Sequence, residues 1–355
     1  MPEGQRGTRR QARLSSDLAI LTVIGILLVA ALSAGGQSVY QQFYGPSAFV
    51  DRYLDLLSEG RAADALQVPG VAVDSAVLDK TGLNSTASEA LLRNAALAPL
   101  DHVEIIGEKQ DDDVYTVTVE YTAGHAGGKT TFLVVQDGWM GVVPNWRFAA
   151  SPLAEIDLTL KGADQFAVNG FEIDRRQVSV DGVDADASAP IPLLVFTPGM
   201  YSVNVDTAIA ETPGVSVLAD APLARTPVSV QAEPTKEFVD VVQNRVTEFL
   251  NACATQEVLQ PTACPFGLEV QNRVDSTPKW SIVKHPDITV VPDGEHWAIP
   301  ATDAVAHIDV DIKSLFDGHV DNLSEDVKFR VNGTITILAD GSASIKVGSP
   351  DVDLD

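Results

Sequence analysis

Three side chains in one strand-like run carry the residue types best suited to chemistry. In residues 306–312, apolar residues alternate with His307, Asp309 and Asp311, so in a strand the three would share one face. An imidazole beside carboxylates could bind a divalent cation or act as an acid–base pair. The same alternation is typical of a solvated strand face, where same-face neighbours stand about 6.5–7 Å apart and rarely converge on one ion.

Recognised catalytic motifs are absent from the sequence. It contains no G-x-S-x-G, no H-E-x-x-H and no Gly-rich phosphate loop that ends in Lys-Ser or Lys-Thr. We therefore expect no catalytic residue, no metal and no cofactor. His307, Asp309 and Asp311 remain a candidate polar face.

The two cysteines give the most specific local signal in the body of the chain. Cys253 and Cys264 are separated by eleven positions, directly after a helix-like run. In an oxidising compartment a disulfide would fasten this loop to the end of the helix. A free buried pair is the alternative, and a redox-active pair would require the C-x-x-C spacing, which is missing.

Composition excludes several classes of protein. Hydrophobic residues make up 45% of the 355 residues, which is too many for a disordered chain. The 24 Lys and Arg against 49 Asp and Glu give a net charge of −25, so phosphates would be repelled and no nucleic-acid partner is expected. Two cysteines are also too few for a four-cysteine zinc site or a disulfide-dense scaffold.

The N-terminus predicts a membrane anchor. Four arginines lie between residues 6 and 13, and residues 18–34 carry no charge. As a helix, this apolar stretch is about 26 Å long, which suits a thin bilayer core. The arginines would keep their side in the cytoplasm. We expect a cytoplasmic tail (1–17), a single-pass anchor in the cell membrane (18–36) and an extracytoplasmic body.

A cleaved signal peptide is the competing interpretation of the same segment. Ala31-Leu32-Ser33 has the small-x-small pattern of a cleavage site. The apolar stretch is longer than in most signal peptides, which favours the uncleaved anchor. Both interpretations place the body outside the cytoplasm.

The body shows one order of elements twice. Apolar residues at helical spacing in 47–60 precede alternating strands such as 115–121, and a second helical run at 237–253 precedes 306–312. Shorter helices are predicted at 62–66 and 87–97. Between the two halves, turn signals such as Asn169-Gly170 separate short β-like runs. The predicted class is α+β: two helix-plus-antiparallel-sheet domains (46–152 and 234–350) flank a small all-β module (153–233).

Short segments carry a resemblance to known families. FVDRYLDLLSEGRAADAL (49–66), followed by long strands, resembles nuclear-transport-factor-two-like domains, in which helices close a curved sheet into a cone. FAVNG (166–170) and LLVFTPGMYSVNV (193–205) are similar to the β-modules of teicoplanin-resistance-associated membrane proteins. The resemblance implies an actinobacterial-type membrane-anchored envelope protein with two cone-like domains. Those relatives commonly begin with a zinc ribbon, but no cysteine precedes residue 18 here, so no sensing role is carried over.

These observations favour a non-enzymatic protein that binds or scaffolds outside the membrane. Its partners would be the membrane, through one anchor, and an envelope protein or wall component. The alternative is an envelope enzyme that uses a polar cavity in a cone-like domain. A His/Asp pair inside a closed pocket would distinguish the second from the first.

Overall fold

The computed structural model describes residues 43–141, 143–186, 189–294, 296–338 and 342–348. The predicted tail (1–17) and anchor (18–36) lie outside the described residues. Within the described ranges, no helix has the length and apolar character needed to cross a membrane. The described chain is mainly β-sheet with a few helices, which agrees with the α+β class at this coarse level.

The first part of the body is a helical layer on a four-stranded antiparallel sheet. Its helices are α1 (Pro46–Ser58), α2 (Ala62–Leu66), α3 (Ser75–Thr81) and a 3₁₀ turn (Asn94–Ala96). Its strands are β1 (Leu100–Asp111), β2 (Val114–Ala123), β3 (Ala126–Met140) and β4 (Val143–Phe148), hydrogen-bonded in the order β1-β2-β3-β4. We call residues 46–152 the first module.

Helix α1 forms where the periodicity predicts it. Pro46 occupies the first turn, where its missing N–H costs no hydrogen bond. The buried face of the helix packs aromatic rings against the sheet: Tyr53 lies 5.1 Å from Phe148 and 6.0 Å from Phe132 between ring centroids, and Phe49 lies 5.0 Å from Phe148. These rings fill the space between helix and sheet.

Of the two shorter predicted helices, the structure has the one at 62–66 and lacks the one at 87–97. Only the 3₁₀ turn Asn94–Ala96 forms in the second segment. The Ser88 N–H donates to the carbonyl of Pro192 at 2.8 Å, and the Leu194 N–H donates to the carbonyl of Ser88 at 2.9 Å. This sheet-like pairing holds the backbone extended, so the prediction for 87–97 was wrong.

Residues 153–233, the middle module, consist of short strands in three sheets. The elements are β5 (Leu153–Lys161), β6 (Gln165–Val168), β7 (Phe171–Asp174), α4 (Arg175–Val178), a 3₁₀ turn (Gly182–Asp184), β8 (Ile191–Phe196), β9 (Gly199–Asn204), β10 (Ala210–Glu211), β11 (Val215–Ala219), β12 (Arg225–Gln231) and β13 (Glu233–Pro234). The sheet orders are β12-β5-β8, β11-β9-β6-β7 and β10-β13.

Two features of the middle module matter below. Asn169 and Gly170, with φ of 51° and 84°, form the tight turn between β6 and β7 that the sequence predicts. Strand β12 runs parallel to β5, in register from Arg225 opposite Glu155 to Gln231 opposite Lys161.

Residues 234–348, the third module, repeat the plan of the first with longer elements. They comprise α5 (Lys236–Ala254), β14 (Arg273–Val274), β15 (Lys279–Lys284), β16 (Val291–Asp293), β17 (His296–Lys313), β18 (Val320–Ile337) and β19 (Ala343–Gly348). Strand β17 pairs with β18 on one edge and with β14, β15 and β16 on the other. Thr235 caps α5 by accepting a hydrogen bond from the Phe238 N–H.

The buried apolar residues form two clusters. One fills the first module and includes Leu153, Leu194, Phe196 and Met200 from the middle module. The other includes Leu91 and Ala96 of the first module and runs through the rest of the middle module into the third. Packing therefore crosses both predicted boundaries, near residues 152 and 234, and the domain bounds themselves stay predictions.

Candidate functional site

The structure places His307, Asp309 and Asp311 on one face of β17. Between them, Ile308 and Val310 are buried in the core shared by the middle and third modules. Helix α5 contributes to that same core, so the polar residues point away from it. The face therefore lies on the solvent side of the sheet.

His307 is held by β18. Its Nδ1 lies 2.7 Å from Oδ1 of Asp326, and its Nε2 lies 3.1 Å from Oγ of Ser324. Asp309 is the nearer of the two predicted partners, with Oδ2 3.5 Å from the same Nε2. Both ring nitrogens thus have partners, and the polar cluster consists of His307, Asp309, Ser324 and Asp326.

The carboxylates around His307 favour its charged form. The hydrogen bond to Asp326 raises the pKa of His307 above its usual value near 6.5, and the charges of Asp309 and Asp326 act in the same direction. The Asp326 carboxylate is exposed, so solvent screens the pair. The arrangement is a surface ion pair that links β17 to β18.

Asp311 does not join this cluster. Its Oδ1 accepts a hydrogen bond from Nδ2 of Asn322 at 2.9 Å, and its backbone N–H donates to Ser276 Oγ at 2.8 Å. Nowhere in the described ranges do three or more His, Cys, Asp or Glu side chains come together as a metal site would require. The three predicted residues therefore share a face, but Asp311 stands apart from the contacts of His307 and Asp309.

The predicted disulfide between Cys253 and Cys264 is present, with Cα atoms 5.9 Å apart. The loop that it closes packs against the sheet. Trp280 on β15 donates from Nε1 to the carbonyl of Val258 at 2.8 Å, and its ring lies 5.0 Å from that of Phe266. The disulfide thus ties the end of α5 to a loop that covers β15.

Glu155 is a buried carboxylate that the sequence does not predict. The Glu155 side chain is fully buried, and its Oε2 accepts a hydrogen bond from the Asn84 N–H at 2.6 Å. Arg225 lies with Nε 3.0 Å from Glu155 Oε1 and 2.7 Å from Asp157 Oδ2. Burial raises the pKa of Glu155, and the neighbouring Asp157 raises it further. This group joins the first module to β5 and β12.

An open groove lies where the first module meets the middle module. A cavity of about 560 Å³ is lined by residues 88–93 on one side and by β7 and α4 on the other. A second cavity of about 470 Å³ adjoins it, since Glu172, Ile173 and Gln177 line both. Within the groove, the Arg93 guanidinium lies 4.6 Å above the Phe171 ring.

The chemistry of the groove suits an elongated polar ligand. A guanidinium, an aromatic ring, a carboxylate and an amide are among the groups that line it, and it is open to solvent. The groove could not be predicted from local pattern, because its two sides are about 80 residues apart along the chain. Only Asn169-Gly170, which turns β7 back beside β6, marks its position in the sequence.

Comparison with known proteins adds little. No family model matches the chain, and no curated protein matches it. One solved structure, titled "Ntf2 like protein involved in plasmid conjugation", is similar at 11% identity and a TM-score of 0.15, over 74% of this chain and 83% of that chain. A likeness at that TM-score carries no argument about fold or function.

Proposed function

We propose that this chain is a non-enzymatic binding or scaffolding protein of the cell envelope. It is held to the membrane by one N-terminal anchor, with its body outside the cytoplasm. The anchor rests on the arginines before residue 14 and on the uncharged residues 18–34. The first and third modules act as cone-like supports for the binding surface.

The observation that carries the proposal is the open groove between the first and middle modules. Arg93 and Phe171 come from different modules and stack on each other in the lining of the groove, so a ligand that lies along it can contact both. Its polar, elongated lining suits a peptide segment or a glycan strand of the wall better than a small molecule that must be enclosed.

The interiors of both cone-like modules are occupied by their own side chains. The first holds the ring cluster of Phe49, Tyr53, Phe132 and Phe148. In the third, Phe238 lies 5.6 Å from Trp297, and Phe266 lies 5.1 Å from Phe329. Such packing supports a rigid scaffold that presents a surface.

The alternative is an envelope enzyme, and the pair of His307 and Asp326 is the observation that favours it. An imidazole 2.7 Å from a carboxylate is a unit that can act as a general base. The pair stands on an open sheet face, where water competes for every contact. We therefore rank this function second.

A site-specific photocrosslinker distinguishes the two functions. The probe is placed at Gln177 in the groove of the full chain in intact cells, with Val183 as an exposed control outside the groove. Binding predicts an adduct of discrete mass at Gln177 that is absent at Val183 and lost with Phe171→Ala. Turnover in a hydrolase or isomerase screen that disappears in Asp326→Asn, with no discrete adduct, would overturn the proposal.

A further inference from the structure

Exposed apolar side chains gather at one end of the first module. Phe43, Tyr44, Trp139 and Met140 are 62%, 42%, 63% and 70% exposed. We call these four residues the aromatic tip. Large apolar groups that stay exposed together mark a contact surface.

Strand register places Trp139 on the side of the sheet where residues 43–44 lie, and Met140, the next residue along β3, at the same end of the sheet. Trp146 on β4 donates from Nε1 to the carbonyl of Tyr44 at 2.8 Å, so residues 43–44 lie against the face that Trp146 occupies. Trp139 is paired with Pro144, two residues before Trp146. Directly paired residues point to the same face, as do residues two apart on one strand. Trp139 therefore points to the side on which Tyr44 lies.

The base of the tip is rigid. The Trp146 ring packs edge-on against Tyr115, with centroids 5.1 Å apart. Gly138 and Gly141, with φ of 81° and 65°, flank Trp139 and Met140 and let the chain turn there. The apolar side chains thus lie at the end of the β3–β4 hairpin, next to the packed ring of Trp146.

The short length of chain between the predicted anchor and Phe43 indicates which surface lies near the tip. Only eight residues separate the end of the uncharged apolar stretch, at residue 34, from Phe43. Fully extended, they reach about 30 Å at most. The chain therefore enters the described body at the aromatic tip, within that distance of the bilayer surface.

We propose that the aromatic tip docks into the headgroup region of the bilayer from which the chain emerges. Tryptophan and tyrosine favour this region because each joins an apolar ring to a polar group. This contact would fix the orientation of the body on the membrane. The inference rests on the membrane anchor in the function proposed above.

Charge selects the type of lipid surface. Asp111, Asp112 and Asp113 form the β1–β2 turn at the same end of the sheet. That turn lies level with Val135, whereas Trp139 is four residues further along β3. The carboxylates are thus set back from the tip but would repel anionic headgroups, so the favoured surface is zwitterionic.

The test uses the tryptophans of the protein as depth probes. Of the four, Trp146, Trp280 and Trp297 are buried and only Trp139 is exposed; residues 18–34 contain none. The full chain is placed in phosphatidylcholine nanodiscs with and without bromine on the acyl chains. Docking predicts that brominated lipid quenches the exposed-tryptophan emission and that Trp139→Phe abolishes this loss.

A matched variant controls for proximity alone. Leu133→Trp in the Trp139→Phe background puts an exposed indole on the same strand, six residues or about 20 Å back from the tip. It should show no quenching. Equal quenching at both positions, or none at Trp139, would overturn the docking.

Failure of the anchor is measured separately. Alkaline carbonate washing of native membranes keeps an anchored chain in the pellet. A retained chain with unquenched Trp139 refutes docking and leaves the proposed function standing. A chain released into the supernatant refutes the anchor and, with it, the docking.

Discussion

The first and third modules follow one plan but complete their cores differently. Helix α1 has 13 residues and covers a four-stranded sheet, whereas α5 has 19 residues and accompanies a six-stranded sheet whose two long strands have 18 residues each. The first module fills its interior with four mutually packed rings. The third shares its buried cluster with the middle module and covers β15 with a disulfide-closed loop.

The comparison shows that the order of the elements does not determine which side chains close the core. The order of helix and strands can repeat while the side chains that close the core come from different places. In the first module they come mainly from its own helix and sheet, and the middle module adds Leu153, Leu194, Phe196 and Met200. In the third they come partly from a neighbouring module and partly from the loop after Cys253. Mutating the ring cluster or the disulfide should therefore change the stability of the two modules by different amounts.

The largest effect is expected from the ring cluster of the first module. Phe132→Ala removes a fully buried ring that contacts Tyr53 and Phe148, and we expect a loss of about 3–5 kcal/mol in the free energy of unfolding. Urea unfolding measures it. Leu133→Ala, the exposed neighbour, should change stability by no more than about 0.5 kcal/mol. Equal losses in the two variants would mean that the rings do not sustain this core.

The disulfide of the third module should rank second. Replacing Cys253 and Cys264 together by Ser opens a loop of about twelve residues, and we expect a loss of about 2–3 kcal/mol. Urea unfolding followed by the fluorescence of Trp280, which packs on this loop, reports it. Mass spectrometry of unreduced fragments is the control. Two alkylatable thiols in the folded protein would contradict the bond itself.

The buried carboxylate between the first and middle modules should rank third. Glu155→Leu leaves the Asn84 N–H without its acceptor, which costs about 1–3 kcal/mol. Glu155→Gln keeps an acceptor oxygen and removes the repulsion from Asp157, so it should be the milder change. Thermal unfolding of the two variants compares them. A loss for Gln as large as that for Leu would show that the hydrogen bond from the Asn84 N–H does not carry the effect.

The smallest effect is expected at the polar cluster. The raised pKa of His307 means that the folded state binds its proton more tightly than the unfolded state does. The associated stability is therefore complete below the usual histidine pKa of about 6.5 and is lost as pH rises through the raised value. Titration of the His307 ring by NMR should give a lower pKa in Asp326→Asn. An unchanged pKa would remove Asp326 as its cause.

Local pattern was sufficient for several elements. The spacing of Phe49, Tyr53 and Leu57 predicts α1, and the alternation around His307 predicts a strand with one buried face. Asn169-Gly170 predicts its turn through backbone preference alone. In each case the structure depends on interactions within one element, so it can be predicted from the local sequence.

Other features depend on distant contacts and could not be predicted from the sequence. The helix expected at 87–97 does not form, because the backbone of Ser88 pairs with β8 instead. Asp326 reached His307 only through the β17–β18 register, which a six-residue connection does not specify. Glu155, Asn84 and Arg225 meet from three separate segments. Such sites require the tertiary arrangement before their residues can be named.

The parallel pairing of β5 and β12 has a mechanical consequence. If the proposed anchor holds the N-terminus and a partner pulls on the third module, the middle module is loaded at the start of β5 and at the end of β12. Because the strands run in the same direction, tension acts along them and stresses their interstrand hydrogen bonds together, from Arg225 to Gln231. This is shear loading rather than unzipping. The middle module would therefore resist extension as a clamp, and the strands between β5 and β12 would bear little of the force.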